Sequence, residues 1–389
     1  MRVAFTLVGG SSWTGGYNYL LNLVQVLAQH SPDRVQPVLF FGSDAATADV
    51  APFTELAGVQ VVRTGAFDED RKRNRLREAL LIGCDRTAAH CFADNQIDLV
   101  FEWAQFYGWR FPLPTVAWIP DFQHRHLKEF FSFGAYWKRD LGFRAQVLSG
   151  RHIMLSSEDT RRDCELIFPQ SVGRTSVVHF AVSPPAALDY SYAHAIAASY
   201  QLPEQFFYLP NQFWKHKNHR VVMEAVHLLK QQGHDIVVAA SGKPNDLRHP
   251  GHYESLKSTV DSWNLRNNFR FIGMVPREHL FALMCACTAL INPSFLEGWS
   301  TTVEEAKSLG VPMLLSNLNV HLEQAGASAQ FFDPSSAEQV AKLMISHPKS
   351  SASSRRQLQK IALEVSQERV KQFAIDFSDT VERAAALFR

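Results

Sequence analysis

The chain has 389 residues, a formal net charge of +1, and 46% hydrophobic against 20% charged residues. That length suits two domains of roughly 100–200 residues, and the composition is globular. Near-neutral charge argues against a dedicated nucleic-acid binder, which needs a basic surplus. The longest apolar run, Leu280 to Ile291, is broken by Thr288 and falls short of the roughly 20 residues that span a bilayer.

The first stretch, MRVAFTLVGG, passes at once into a Gly-rich turn, so no export signal is expected. Strand-like runs then alternate with helical stretches, as in parallel sheets with crossover helices. In the first half, strands are expected at Arg2–Val8, Gln36–Phe41, Val59–Arg63, Asp98–Trp103, Thr115–Ile119, Arg151–Ser156 and Ser176–Ala181. Helical spacing covers Tyr17–His30, Arg71–Ala93 and Asp159–Phe168. Ser183–Pro203 carries three prolines and reads as the connection between halves. In the second half, strands are expected at Phe206–Leu209, Ile236–Ala240, Phe269–Ile272, Ala289–Asn292, Pro312–Ser316 and Gln330–Phe332. Helices fit Arg220–Gln232, Arg277–Cys287, Thr302–Leu309 and Ala337–Ile345. Lys349–Arg356 reads as a Ser-rich loop before a last helix near Glu368–Arg389. The five cysteines, at 84, 91, 164, 285 and 287, show neither metal spacing nor an even framework, which suits a reducing, cytoplasmic compartment.

Three loops between a strand and a helix could carry chemistry. The first is Gly9-Gly-Ser-Ser-Trp-Thr-Gly-Gly16. It lets backbone approach a ligand but is not the G-x-G-x-x-G dinucleotide fingerprint. The second runs from Phe295 through Glu297 and Gly298 to Glu304 and Glu305. Thr301 with Glu304, and Thr302 with Glu305, fit a capping box with solvent-facing acids. That accounts for Glu304 but not for Glu297, which lies in the loop at the carboxyl end of a strand. The helix start also offers unpaired N–H groups able to hold a phosphate. The third loop, Leu209 to His219, holds Lys215, His216, Lys217 and His219. Cations at a helix start are out of place unless an anion fills the site.

Together these loops resemble the retaining glycosyltransferases of family 4. The resemblance rests on Glu297-x7-Glu305 followed by Ala306-x3-Gly310-x-Pro312, on the Gly15–Leu23 stretch, and on the Lys217-Asn218 step. It implies an α/β fold of GT-B type, with two Rossmann-like domains facing each other across a cleft. Residues 1–185 would form an acceptor-side domain and 204–365 a donor domain, with 366–389 a helix returning to the first. It implies that Glu297 contacts the donor sugar, Glu305 the ribose, and that Lys217 offsets charge on the departing diphosphate. Gly16, Gln212, Lys215, Gly298, Trp299, Ser300 and Thr301 would complete the donor site. Where the family often has Arg, five residues before the Lys, this chain has Gln212; Lys215 is a candidate for the missing charge. Where the family often shows His-Asp, this chain has Pro120-Asp121, and His124 or His126 could take the His role.

The donor implied is a UDP- or GDP-linked hexose, with no cofactor and no required metal. The acceptor implied is a saccharide or lipid-linked saccharide of bacterial surface polysaccharide synthesis. Asp68-Glu69-Asp70 matches the D-x-D of metal-dependent transferases, but acids also suit the helix start expected there. A nucleotide-sugar 2-epimerase and a silent sugar-nucleotide binder are the alternatives. Aromatic residues reach 12% and crowd between Phe101 and Phe143. They predict core, or else an acceptor platform or a patch facing the inner membrane beside Arg125, Lys128, Lys138, Arg139 and Arg144.

Overall fold

The computed structural model describes residues 1–7, 14–103, 105–183, 189–348 and 352–388. Seven parallel strands form the first sheet: β1 Arg2–Thr6, β2 Gln36–Phe41, β3 Gln60–Arg63, β4 Leu99–Glu102, β5 Thr115–Ile119, β6 His152–Leu155 and β7 Thr175–Val177. Their order across the sheet is β3-β2-β1-β4-β5-β6-β7. Six parallel strands form the second: β8 Phe207–Leu209, β9 Val238–Ser241, β10 Phe269–Gly273, β11 Leu290–Asn292, β12 Met313–Ser316 and β13 Ala329–Phe332, in the order β10-β9-β8-β11-β12-β13. Central strands such as Leu99–Glu102, Thr115–Ile119 and Met313–Ser316 are buried throughout. Runs of Val, Leu, Ile and Phe fit such strands because a parallel sheet is covered on both faces.

The chain packs as two units. One holds Met1–Phe122, Gly134–Phe180 and the residues from Arg369 on; the other holds Gln123–Phe133 and Ala181–Glu368. The grouping of Gln123–Phe133 with the second unit is not visible in the sequence. The stretch read as a connection contains a helix, Tyr190–Ser199, whose Ala193 and Ala197 join the second core beside Phe206 and Leu283.

The last helix is longer than expected, running from Ala352 to Leu387 over 36 residues. The loop expected at Lys349–Arg356 is therefore helical from Ala352, and residues 349–351 lie outside the described residues. At 1.5 Å per residue it is about 54 Å long. Near its start, Arg355 donates to the Cys287 and Thr288 carbonyls, satisfying acceptors just past the end of the helix Arg277–Ala286. Gly310, at φ +65°, is required there: a Cβ would meet the Leu358 carbonyl oxygen at 2.7 Å. Further on, Phe377 packs on Phe5 and Phe101 with ring centroids 5.9 and 5.5 Å apart.

The aromatic segment divides in two. Trp103, Tyr107, Phe111 and Phe122 are buried, as the core reading expects. The helix Phe133–Leu148 is different, with Phe133 81%, Leu141 55% and Leu148 65% exposed, and Trp137 43%. No helical pattern was read there, since Phe and Tyr crowd positions on every face.

Candidate active site

In the second sheet, β8 is flanked by β9 and β11, so strand order reverses between β8 and β11. Loops leaving the carboxyl ends of such neighbouring strands diverge and leave room for a ligand. Two buried asparagines stand at this point. Asn211 Nδ2 donates to Asn292 Oδ1 at 3.1 Å, and Asn292 Nδ2 donates to Ser300 Oγ at 2.9 Å. Ser294 lies between, with its hydroxyl 2.7 Å from both Asn292 Oδ1 and Glu297 Oε1. Buried polar groups satisfied in this way fix a single loop arrangement.

The loop after β8 is pinned to the loop after β11. Its short 3-10 turn, Lys215–Lys217, ends in Asn218 at φ +52°. Asn tolerates that left-handed geometry, and its Nδ2 donates to the Pro293 and Pro334 carbonyls at 3.1 and 2.7 Å. Phe295 N donates to the His216 carbonyl at 2.9 Å. Lys217 is thereby brought to Glu297, with Nζ 2.5 Å from Oε1. The two side chains are only 13% and 9% exposed. Burial pushes the Glu297 carboxyl up, but Lys217, His321 and the Ser294 hydroxyl outweigh it and hold it below the ordinary carboxylate value.

His321 supports this loop from behind. Fully buried, it donates from Nδ1 to the Ser316 carbonyl at 2.9 Å, since a carbonyl can only accept. Ser316 Oγ in turn donates to the Ser294 carbonyl at 2.7 Å. Burial lowers the His321 imidazole pKa against the pull of Glu297.

Beside the pair begins the helix Thr301–Ser308, and its N-terminus departs from the expected capping box. Ser300 is the N-cap residue and its side chain makes no cap bond, because Asn292 occupies its hydroxyl. Gln324 instead holds the Ser300 backbone, accepting from its N–H at 3.1 Å and donating to its carbonyl at 2.8 Å. Neither glutamate faces solvent. Glu304, 1% exposed, accepts from Lys307 Nζ at 2.8 Å and Gln324 Nε2 at 3.0 Å. Glu305 is 6% exposed, and no described residue donates a hydrogen bond to its carboxyl. Burial, opposed weakly by Arg277, pushes that carboxyl up to about 7. Gly298 and Trp299 are half-buried in the preceding loop, and Thr301 is exposed at the helix start.

Other expected residues fall elsewhere. Gln212 fastens a loop: its Oε1 accepts from Lys243 N at 2.7 Å, next to Gly242, where a Cβ would clash with the Asn211 carbonyl. Lys215 is exposed, with Nζ 5.0 Å from the Phe130 ring, so it does not share the Glu297 carboxylate with Lys217. His124 is buried in the short helix Gln123–His126, 6.4 Å from the Phe131 ring, whereas His126 is exposed. Gly16 is buried within the helix Thr14–His30, and most of the loop before it, residues 8–13, lies outside the described residues. Asp68 accepts from the Ser43 N–H and hydroxyl at 2.6 and 2.7 Å, which explains an acid there without an ion. The sequence reading missed Asn211, Asn292, Ser294, Gln324 and His321. Only Asn292-Pro293 at a strand end gave a local signal; Asn211 and Gln324 act across 20 or more residues of chain.

Residues 196–365 match the family described as Glycosyl transferases group 1. Among curated proteins, the chain is 27% identical over 165 residues to the serotype-specific mannosyltransferase WbdA of Escherichia coli, covering 41% of this chain and 20% of that protein. It is 32% identical over 85 residues to O-antigen chain mannosyltransferase B of Escherichia coli, covering 22% of this chain and 21% of that protein. The chain thus spans about a fifth of the length of these relatives. Among solved structures, a glycosyltransferase from Rickettsia africae superimposes with TM-score 0.69 at 14% identity, over 98% of this chain and 97% of that one. HepE of Anabaena, in complex with UDP and glucose, does so with TM-score 0.69 at 14% identity, over 98% and 99%. These likenesses establish the GT-B type of fold. Among the described residues, no helix is long and apolar enough to cross a membrane.

Proposed function

We propose that this protein is a retaining glycosyltransferase that moves a hexose from a nucleotide-diphosphate sugar to a saccharide or lipid-linked saccharide in bacterial surface polysaccharide assembly. The observation that carries the reading is the Lys217–Glu297 pair, buried at the β8/β11 reversal beside a helix start with no side-chain cap. It lies inside the part of the chain that matches the glycosyltransferase family. The two Escherichia coli mannosyltransferases and the UDP-bound Anabaena protein support the donor class.

Breaking the bond between anomeric carbon and phosphate leaves an electron pair, and therefore charge, on the diphosphate. Lys217 and the first N–H groups of the helix Thr301–Ser308 offset that charge in fixed positions, and fixed donors need no reorganisation at the moment of reaction. Lys217 must then exchange part of its bond with Glu297 for phosphate, which frees the Glu297 carboxylate for the sugar hydroxyls. Glu305, a buried carboxyl to which no described residue donates, is suited to accept from a ribose hydroxyl. His124 is assigned to the sugar side of the reaction. None of these roles calls for a metal. The exposed apolar residues of the helix Phe133–Leu148 support peripheral contact with the inner membrane.

A thermal-shift screen over UDP-, GDP-, ADP- and dTDP-sugars tests the reading first, because a ligand of the folded state raises Tm. One donor should stand out and should turn over with an acceptor extract to give a product of unchanged anomeric configuration by NMR. Inversion would remove retention, turnover of donor alone to an isomer would favour epimerisation, and no turnover with any donor would sink the enzyme reading. Flotation with anionic liposomes tests the membrane contact, which fails if the protein stays in solution.

A further inference from the structure

The second unit contains one segment from the middle of the first half of the chain, Gln123–Phe133. Its only helical pieces are Gln123–His126 and the turn Lys128–Phe130. Pieces this short do not hold themselves, so side-chain contacts must keep the segment in place. Two of those contacts, from opposite ends of the segment, are made by a single residue, Arg248. Its Nη1 donates to Gln123 Oε1 at 3.0 Å, and its guanidinium carbon lies 5.2 Å from the Phe131 ring centroid.

Arg248 also reaches the Lys215–Lys217 turn. Its guanidinium is 5.6 Å from the Trp214 ring, and Nη2 lies 3.4 Å from His216 Nδ1. Asp246, 2% exposed on its side chain, completes the link: Oδ1 accepts from Arg248 N at 3.0 Å and Oδ2 from Lys215 N at 3.1 Å. One planar cation thus lies against two aromatic rings and bonds in several directions, a role lysine cannot copy. Phe130 reinforces the same junction by covering Lys215 and meeting the His249 ring at 5.6 Å.

We propose that Arg248 is a positioning residue that fastens the segment carrying His124 to the turn carrying Lys217, so that the two are set relative to each other before substrate arrives. The functional half of this inference rests on the transferase reading above; the fastening itself does not. Arg248 touches no reacting group in this scheme, since its donors are taken up by Gln123, Asp246 and His216.

Hydrogen exchange on the full chain separates the two. In Arg248→Ala, the amides of Leu127, Phe130 and Phe131 should exchange faster, while those of the helix His219–Gln231 stay as in wild type. Gln123→Lys, which sets a like charge against Arg248, should do the same, and Gln123→Glu should not. Arg248→Lys should behave as Arg248→Ala. Unchanged exchange in both disrupting variants, or loosening that extends through the helix, overturns the fastening. With an active donor in hand, Arg248→Ala should lower kcat by about 100-fold, the scale of a 1 Å misplacement, with nucleotide Kd held within about threefold. An equal loss of nucleotide affinity would make Arg248 a phosphate ligand and overturn the positioning role. If the wild type turns over no donor, the transferase reading fails while the exchange data still decide the fastening.

Discussion

The two sheets reverse strand order in the same way, beside β1 in one and beside β8 in the other, yet the carboxyl ends at the two reversals are chemically unlike. Among the described residues, the first is closed by rings and a buried ion pair. Trp103 Nε1 donates to the Thr6 carbonyl at 2.7 Å, and the Tyr107 hydroxyl is 3.2 Å from Thr6 Oγ1. Glu102, wholly buried, accepts from Tyr107 N at 3.2 Å and faces Arg151 at 3.5 Å. The second reversal instead keeps charged and amide side chains on loops, around a helix start that no side chain caps. A shared topology therefore provides the place for a ligand but not the chemistry, which rests on the residues of a few loops.

The largest expected effect is on the first reversal. Arg151→Ala leaves Glu102 buried and unpaired, and should cost about 3–5 kcal/mol of stability by denaturant unfolding. A loss under about 1 kcal/mol would show that this end is not closed by the pair. Next is the second reversal, where Glu297→Gln should reduce transfer about 100- to 1,000-fold and, because it leaves Lys217 buried without its carboxylate, should lower Tm as well. Equal turnover in variant and wild type would remove Glu297 from the site and with it the contrast.

A smaller effect is readable from pH. Glu305 titrates near 7 in the folded protein against 4.5 as an ordinary glutamate. The folded state holds the proton more tightly, so this group favours folding at low pH and the advantage is lost as pH rises through about 7. Glu305→Gln should therefore gain Tm relative to wild type as pH is raised from 5 to 8; a constant difference would refute the shift. Smallest is the turn. Asn218→Ala and Asn218→Gly lose the same two hydrogen bonds, but only Ala meets the left-handed penalty. Ala should be less stable than Gly by about 1–2 kcal/mol, and equality would place no demand on φ at this position.

Sequence made the sheets legible because a parallel strand buried on both faces reads as an unbroken apolar run. Gln36–Phe41 and Thr115–Ile119 appear with the bounds expected of them. It also singled out Lys217 and Glu297, since each lies in a loop that follows a strand, β8 ending at Leu209 and β11 at Asn292. The capping box was misread for a physical reason. Thr301 with Glu304 looks like local helix-start chemistry, but the N-cap is Ser300, whose hydroxyl Asn292 takes from 8 residues away, and Glu304 is held by Gln324, 20 residues away. Arg248 was invisible for the same reason: its partners Gln123 and Phe131 are more than 100 residues away in the chain.

The long last helix has a consequence for biosynthesis. Phe5, in β1, finds its ring partner Phe377 only after the second unit, which lies between them in sequence, has been synthesised. The second unit, by contrast, has all its residues by Glu368. Domains usually mature in the order in which they leave the ribosome. Here the unit begun before the second one waits on residues made after it to fill its core, so a stop after Glu368 would harm the unit whose strands were made earlier.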